Sequence, residues 1–270
     1  MKQIAKIKRI LFVLFILFLA SCATVPITGR RQLSLVNESE MIALSLTQYD
    51  QFMKENKLST NTKDAEMVKR VGLRIAKAVE AYFTSQGQAA YLDGYKWEFN
   101  LVESKDINAW CMSGGKVVVY TGILPITKTE AGLAAVMGHE IAHAVARHGS
   151  ERMSEQMVAQ GAGTALSVAL TNKPEQTQQL AMAAFGIGAQ YGVLLPFSRK
   201  HEYEADHMGL IFMAMAGYDP NESVPFWERM AQLGGSGMPE FLSTHPVSEN
   251  RIAFLKEKMA EALQYYNPKK

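Results

Sequence analysis

The spacing of apolar and polar residues along the chain predicts a mainly helical protein with one small sheet. In residues 64–85, apolar side chains recur at intervals of three and four, which is the spacing of one buried helix face. Residues 95–103 instead alternate apolar and polar side chains, as a half-buried strand does. The order of helices, strands and helices predicts an α+β fold with one core. Further helices are predicted at 38–57, 129–148, 198–216, 221–233 and 249–265, and a hairpin of two strands at 108–112 and 116–121.

Residues 151–197 are rich in Ala, Gly and Leu and form two predicted helical segments around a polar turn at 171–177. The second segment, 178–197, is apolar enough to suggest a membrane span. Its glutamines, glycines and proline argue against one. We therefore expect a helical hairpin that packs over the site described below.

The first 21 residues have the pattern of a secretory signal sequence. Four basic residues lie among the first nine, an apolar run fills 10–20, and small residues precede Cys22. The Leu-Ala-Ser-Cys ending resembles the site at which bacterial lipoproteins are cleaved and acylated. We expect a lipoprotein signal peptide at 1–21, a lipid anchor on Cys22, an extended leader at 22–37, and a location facing the periplasm, with the outer membrane favoured.

The charge of the chain argues against a nucleic-acid partner, and its cysteine content argues against an internal disulfide. The net charge is +2 and the charged residues are interspersed, so we expect no nucleic-acid partner. Cys22 and Cys111 are the only cysteines in the sequence. A lipid on Cys22 would leave Cys111 without a disulfide partner, and its apolar neighbours predict a small buried side chain.

Residues 139–143 have the sequence HEIAH within a predicted helix. Residues four apart share a helix face, so the imidazoles of His139 and His143 can converge on one metal ion. Glu140 would lie beside that metal, where it can take a proton from bound water. Small and apolar residues flank the motif, whereas a chance match usually lies on a charged, solvated helix. The sequence therefore predicts a zinc site with a catalytic base.

A catalytic zinc ion needs a third protein ligand and an open fourth position. Glu151 and Glu155 follow the motif, but they lie in polar sequence that resembles a solvated helix start. Glu202 and Asp206 are better candidates, because they are again four residues apart on a predicted helix and lie among small and apolar residues.

These residues resemble the HtpX-type gluzincins, family forty-eight of the metallopeptidases, and within it the periplasmic lipoprotein members. The resemblance covers nearly the whole chain after Cys22. In two places the sequence departs from the usual pattern: Trp110 and Cys111 replace Phe and Ala, and Ser113 stands where Pro is common. The similar segments are 25–33, 108–111 with 114–115, 202–206, and 243–246 with Arg251.

The resemblance implies a zincin-like metallopeptidase domain at 38–270, with an edge strand of the small sheet facing the active-site cleft. It implies one Zn²⁺ per chain, with Glu202 as the third ligand after His139 and His143. Asp206 would orient a ligand histidine from behind.

The resemblance also assigns roles around the metal. His245 would either stabilise the oxyanion or cap the zinc in a resting state. The strand containing Val117, Val118 and Val119 would take up the substrate by strand addition.

The expected function is therefore a zinc-dependent endopeptidase of the bacterial cell envelope, with Glu140 as general base and misfolded or membrane-associated polypeptides as substrates. One alternative is a zinc-binding lipoprotein that acts as a chaperone or assembly factor, although metal binding alone needs no base at position 140. Another is a protease held latent by His245 or by the hairpin at 151–197.

Three further histidines have no predicted role in the chemistry. His148 lies at the expected end of the HEIAH helix, where it suits the helix dipole. His201 and His207 neighbour Glu202 in sequence but point around the helix from it, so both are expected to be packing or surface residues.

Overall fold

The computed structural model describes residues 22–234 and 239–268, so the predicted signal peptide at 1–21 lies outside the described residues. Contacts divide the chain into two compact units. Among the described residues, the first unit joins 22–37 to 150–197, and the second joins 38–149 to the chain from 198 onwards.

The order of elements confirms a mainly helical fold with a small sheet. Helix α5 starts in the second unit and continues into the first, whereas α7 starts in the first unit and continues into the second. The elements are β1 (Cys22–Thr24), β2 (Arg31–Leu33), α1 (Glu38–Glu55), α2 (Thr62–Ser85), β3 (Glu98–Val102), β4 (Ala109–Met112), β5 (Lys116–Tyr120), α3 (Leu124–Thr127), α4 (Glu130–Val145), α5 (His148–Leu170), α6 (Glu175–Ala189), α7 (Leu195–Met215), α8 (Ser223–Ala231), α9 (Glu240–Thr244) and α10 (Glu249–Leu263).

In the first unit, the leader forms a short hairpin rather than a fully extended chain. Strands β1 and β2 pair antiparallel, with Cys22 opposite Leu33. Arg30 donates to both carboxylate oxygens of Glu151 on α5, at 2.8 and 2.6 Å. Glu151, a possible third metal ligand on sequence grounds, thus binds a guanidinium of its own unit. The lipid on Cys22 stays a prediction.

No helix among the described residues is both long enough and apolar enough to cross a membrane.

The sheet of the second unit has the order β3-β5-β4. Strand β5 pairs parallel with β3 and antiparallel with β4, so the predicted hairpin is confirmed. The assignment of substrate binding to Val117, Val118 and Val119 is wrong, because β5 is the central strand and its backbone groups are hydrogen-bonded on both sides. Strand β4 lies at an edge of this sheet and packs against α4.

Helix α4 is buried almost throughout, because it lies between β4, α2 and α8. Its first turn is capped by Thr129, whose hydroxyl accepts from Gly132 N at 3.0 Å. At its end the Tyr91 and Tyr95 hydroxyls donate to the carbonyls of Val145 and Ala144, both at 2.9 Å. These contacts satisfy carbonyls that have no partner within the helix.

Helix α4 ends at Val145, whereas the sequence pattern predicts that it continues to His148. Arg147 adopts a left-handed conformation with φ of 60°, which is uncommon for a residue with a side chain. Its guanidinium lies 4.0 Å from the centre of the Tyr91 ring and donates to the Tyr91 carbonyl at 3.0 Å. These contacts support a sharp turn between α4 and His148, the first residue of α5.

Helices α4 and α7 approach closely where two glycines meet. A Cβ atom on Gly138 would lie 2.9 Å from the Gly209 carbonyl oxygen. A Cβ atom on Gly209 would lie 2.9 Å from the backbone nitrogen of His139. Real Cβ atoms essentially never come so near, so glycine at both positions permits direct backbone contact. This contact places residues 202–206 of α7 beside the HEIAH motif.

Candidate metal centre

Two helices and the end of a third bring four possible metal ligands together in the second unit. His139 and His143 come from α4, Glu202 comes from α7, and His245 directly follows α9. One donor atom from each residue lies within 4.8 Å of the other three, and all four residues are buried. The structure thus places the three predicted ligands and His245 at one point.

The spacing of the donor atoms suits a tetrahedral ion. His139 Nε2 and His143 Nε2 are 3.1 Å apart, and each lies 3.4 Å from a Glu202 carboxylate oxygen. His245 Nδ1 lies 3.4 Å from His139 Nε2 and 3.1 Å from Glu202. Zinc binds such atoms at roughly 2.0–2.2 Å, so the corners of a zinc tetrahedron are about 3.3–3.5 Å apart. Both the donor types and their spacing therefore fit Zn²⁺.

Asp206 and Arg251 support the ligands from behind. Asp206 Oδ1 lies 3.1 Å from His139 Nδ1, the ring nitrogen that faces away from the cluster. Arg251 donates to both oxygens of Asp206, at 2.8 and 2.7 Å, and its Nη1 is 2.9 Å from Glu202. A carboxylate behind a ligand histidine fixes the ring orientation and its tautomer. The guanidinium also balances two buried negative charges.

Burial and charge set the protonation of the ligands. Burial lowers the pKa of His139, but Asp206 and Glu202 outweigh that effect and raise it to about 9 in the protein without metal. At His143 burial dominates and holds the pKa well below its ordinary value. Burial would raise the pKa of Glu202, yet the neighbouring imidazoles, His143 foremost, hold it well below its usual range. Glu202 is therefore ionised and His143 neutral at pH 7, which are their metal-binding forms.

Glu140 lies next to His139 in sequence and beside the four-donor cluster in space. Its side chain is buried, and its Oε1 atom lies 3.8 Å from His245 Nε2. A carboxylate at this position can exchange a proton with water held at the cluster.

Sequence reasoning missed several contacts of the ligands. His148 has its Nδ1 atom 2.8 Å from His143 Nδ1, and its Nε2 atom is 2.9 Å from Glu204. The Trp227 ring packs edge-on against His139, with ring centres 4.9 Å apart. One signal was available for Glu204, since a carboxylate amid small and apolar residues usually has a buried partner.

The other two histidines behave as packing residues. His201 is buried and its ring stacks on His148, with centres 4.3 Å apart. His207 faces α10, where its Nε2 atom is 2.8 Å from Glu261.

The site defines the class of protein. Two histidines and a glutamate in HExxH order on one helix, with a carboxylate ligand from a later helix, form the arrangement of a zinc-type metallopeptidase. Residues 63–259 match the model of Peptidase family M48. The chain belongs to this family, which confirms the resemblance found in the sequence.

Similar proteins support the same class. The chain is 42% identical over 176 residues to "Mitochondrial metalloendopeptidase OMA1" of Schizosaccharomyces pombe, covering 62% of this chain and 48% of that protein. It is 32% identical over 248 residues to the human "Metalloendopeptidase OMA1, mitochondrial", covering 88% and 46%. It is 31% identical over 162 residues to the "Beta-barrel assembly-enhancing protease" of Escherichia coli (strain K12), covering 58% and 33%. The chain thus spans a third to about half of the length of each of these relatives. Their names agree with the predicted class of metallopeptidase, which the family match supports.

The predicted location is wrong. The sequence predicts a periplasm-facing lipoprotein of the outer membrane, whereas the relatives from fission yeast and human are named as mitochondrial proteins. The prediction rests on a short basic and apolar stretch that ends at Cys22. Such a stretch is defined by length, charge and hydrophobicity, and these properties do not specify one membrane.

Proposed function

We propose that the chain is a zinc-dependent endopeptidase in which His139, His143 and Glu202 hold the metal and Glu140 is the general base. The tetrahedral spacing of the donor atoms, with a buried carboxylate beside them, is the observation that carries the proposal. Imidazole and carboxylate donors at this spacing suit zinc and leave room for catalysis once the fourth corner is open.

In the proposed mechanism each side chain has a separate task. Zinc, when bound, would polarise the scissile carbonyl and supply a water nucleophile at neutral pH. Glu140 accepts the proton of that water and later passes it to the leaving amine. Asp206 Oδ1 lies 3.1 Å from His139 Nδ1, and this carboxylate behind the ring keeps Nε2 directed at the metal. Arg251 balances the charges of Asp206 and Glu202, and the burial of these groups strengthens their interactions.

The edge strand β4 supports a polypeptide substrate in extended form. Among the described residues, β4 pairs with β5 alone. Because Tyr120 N donates to Asn108 O at 3.0 Å, the alternation of an antiparallel ladder directs the N–H and C=O of Cys111 away from β5. Strand β4 packs against α4, the helix that carries the proposed base Glu140. Burial raises the pKa of the Cys111 thiol, and the Glu140 charge adds to this effect. An extended substrate can add here, main chain to main chain.

Misfolded or membrane-associated proteins are the proposed substrates, because they expose extended segments. The purified chain should cleave unfolded casein, lose this activity when a chelator removes the metal, and regain it with one equivalent of zinc. Cleavage is followed on gels, and bound zinc by elemental analysis. A chain that binds one zinc ion yet cleaves nothing would instead support a chaperone or assembly factor.

The position of His245 favours an enzyme in a resting state. Its Nδ1 atom occupies the fourth corner of the donor tetrahedron, the position that a catalytic zinc keeps open for water. The backbone nitrogen of His245 donates to the Phe241 carbonyl at 2.8 Å, and the two rings stack with centres 4.7 Å apart. We infer that His245 caps the metal until substrate displaces it.

The variant His245→Ala tests the cap. Its initial rate on a short unfolded peptide, at equal zinc content, should rise several-fold because the fourth corner is then open. Ser243→Ala is the matched control, since Ser243 is exposed and its hydroxyl donates to the nearby Glu240 carbonyl. A rate that falls by about 10²- to 10³-fold would contradict the cap and assign His245 to oxyanion stabilisation.

A further inference from the structure

We propose that His148 and Glu204 are positioning residues that orient and polarise the metal ligand His143 through a chain of two hydrogen bonds. The inference rests on the proposed metal site. His143 Nδ1 lies 2.8 Å from His148 Nδ1, and His148 Nε2 lies 2.9 Å from Glu204 Oε2. His148 is fully buried, and Glu204 is 6% exposed.

Metal binding fixes every proton in this chain. His143 directs Nε2 towards the donor cluster, so a neutral ring carries its proton on Nδ1. That proton is donated to His148 Nδ1, which must then be the unprotonated nitrogen of its ring. The proton of His148 is therefore on Nε2 and is donated to Glu204. In both hydrogen bonds the donor is on the side of the metal and the acceptor is on the side of Glu204. Hydrogen bonds to an ionised acceptor are stronger than those between two neutral groups.

The two ligand histidines are thus each supported by a carboxylate, at different distances. His139 is backed directly by Asp206, at 3.1 Å. His143 is backed by Glu204 through one intervening imidazole. A partner behind a ligand histidine fixes the ring and raises its basicity, so the chain strengthens the bond between His143 and the metal.

The backbone between α4 and α5 makes the contact possible. In a continuous helix, five residues turn through about 500°, which would place His148 about 140° around the axis from His143. The left-handed turn at Arg147 breaks the helix and returns His148 to the same side. Such a conformation is unfavourable for a residue that carries a side chain. Contacts of Arg147 with the ring and carbonyl of Tyr91 stabilise it.

His148 has little freedom to leave this position. The His201 ring stacks on it with centres 4.3 Å apart and an angle of 19° between planes. Such packing would also suit a purely structural residue, so the test has to separate stability from metal binding.

The test compares two replacements of the terminal acceptor. Glu204→Gln keeps an oxygen that can accept from His148 Nε2, whereas Glu204→Leu removes it at similar size. Zinc affinity is measured by chelator competition, and the thermal unfolding of the metal-free protein is followed in parallel. We expect Glu204→Leu to lower zinc affinity by about tenfold to hundredfold. Glu204→Gln should recover most of that loss, and His148→Ala should match Glu204→Leu.

His207→Ala is the matched control. His207 lies on the same helix as Glu204, and its Nε2 atom is 2.8 Å from Glu261. The variant therefore also loses an imidazole–carboxylate contact of similar length. It should leave zinc affinity unchanged. The visible absorption of the cobalt-substituted protein should shift in Glu204→Leu and stay constant in His207→Ala.

Two results would overturn the inference. One is a set of variants that unfold at lower temperature without metal yet bind zinc as the wild type does. The other is an equal loss of affinity in Glu204→Gln and Glu204→Leu, since the accepting oxygen would then be irrelevant. Failure of the proposed function is a separate result, because it would appear in the wild-type chain as absent zinc binding or absent cleavage.

Discussion

Replacing Glu140 by glutamine should lower the rate constant for peptide-bond hydrolysis by about 10²- to 10⁴-fold, the usual contribution of a positioned general base. Glutamine has nearly the same shape as glutamate but cannot accept the proton of the attacking water. The ligands His139, His143 and Glu202 are unchanged, so zinc should remain bound at one ion per chain. The measurements are the turnover of a fluorogenic peptide and the zinc content of the purified variant.

Glu130→Gln provides the matched control for this variant. Glu130 lies on the same helix, α4, and its carboxylate pairs with Arg70 at the surface. The same chemical change there should leave turnover unaltered. A Glu140→Gln protein that cleaves at the wild-type rate would refute the proposed base. A variant that loses its zinc would instead make Glu140 a ligand.

Replacing Arg251 by leucine should reduce the free energy of unfolding of the metal-free protein by about 3–5 kcal/mol, the usual result of removing one partner from a buried ion pair. The guanidinium makes three contacts of 2.7–2.9 Å with Asp206 and Glu202. All three residues are buried, so the two carboxylates would lose their cationic partner without gaining water. Urea unfolding, extrapolated to zero denaturant, measures the change.

Two further variants check that the loss comes from this geometry. Arg251→Lys should recover only part of the stability, because an ammonium group cannot bind a carboxylate through two parallel hydrogen bonds. Lys256 lies on the same helix as Arg251 and forms an exposed ion pair with Glu228 of α8. Lys256→Ala removes this pair and should reduce the free energy of unfolding by about 0.2–1 kcal/mol. If Arg251→Leu cost no more than Lys256→Ala, the guanidinium would not be stabilising the buried carboxylates.

Local patterns were sufficient to predict much of the fold and the core of the site. Residues four apart on one helix share a face, so the HEIAH motif and the pair Glu202 and Asp206 could be recognised without a structure. The predicted helices at 38–57 and 64–85 correspond to α1 and α2, and the predicted hairpin corresponds to β4 and β5. In each case the information lies within a few turns of helix or two neighbouring strands.

The features that were missed depend on contacts between distant parts of the chain. The partnership of His148 with Glu204 spans 56 residues, and that of Arg251 with Asp206 spans 45. The end of α4 was misplaced because Arg147 takes a left-handed conformation without the glycine that usually marks one. Strand β5 was mistaken for an edge strand because hairpin patterns do not show that β3 pairs with its other side.

The contact between Gly138 and Gly209 has a consequence for how the site can open. Where α4 and α7 meet backbone to backbone, no side chain remains that could rearrange to let one helix slide on the other. The three helix-borne ligands are therefore clamped to a common rigid frame. His245 lies outside that frame, on the connection between α9 and α10. In the proposed enzyme, an incoming peptide therefore needs to displace only the His245 imidazole. His139, His143 and Glu202 would keep their positions around the metal while the peptide is cleaved.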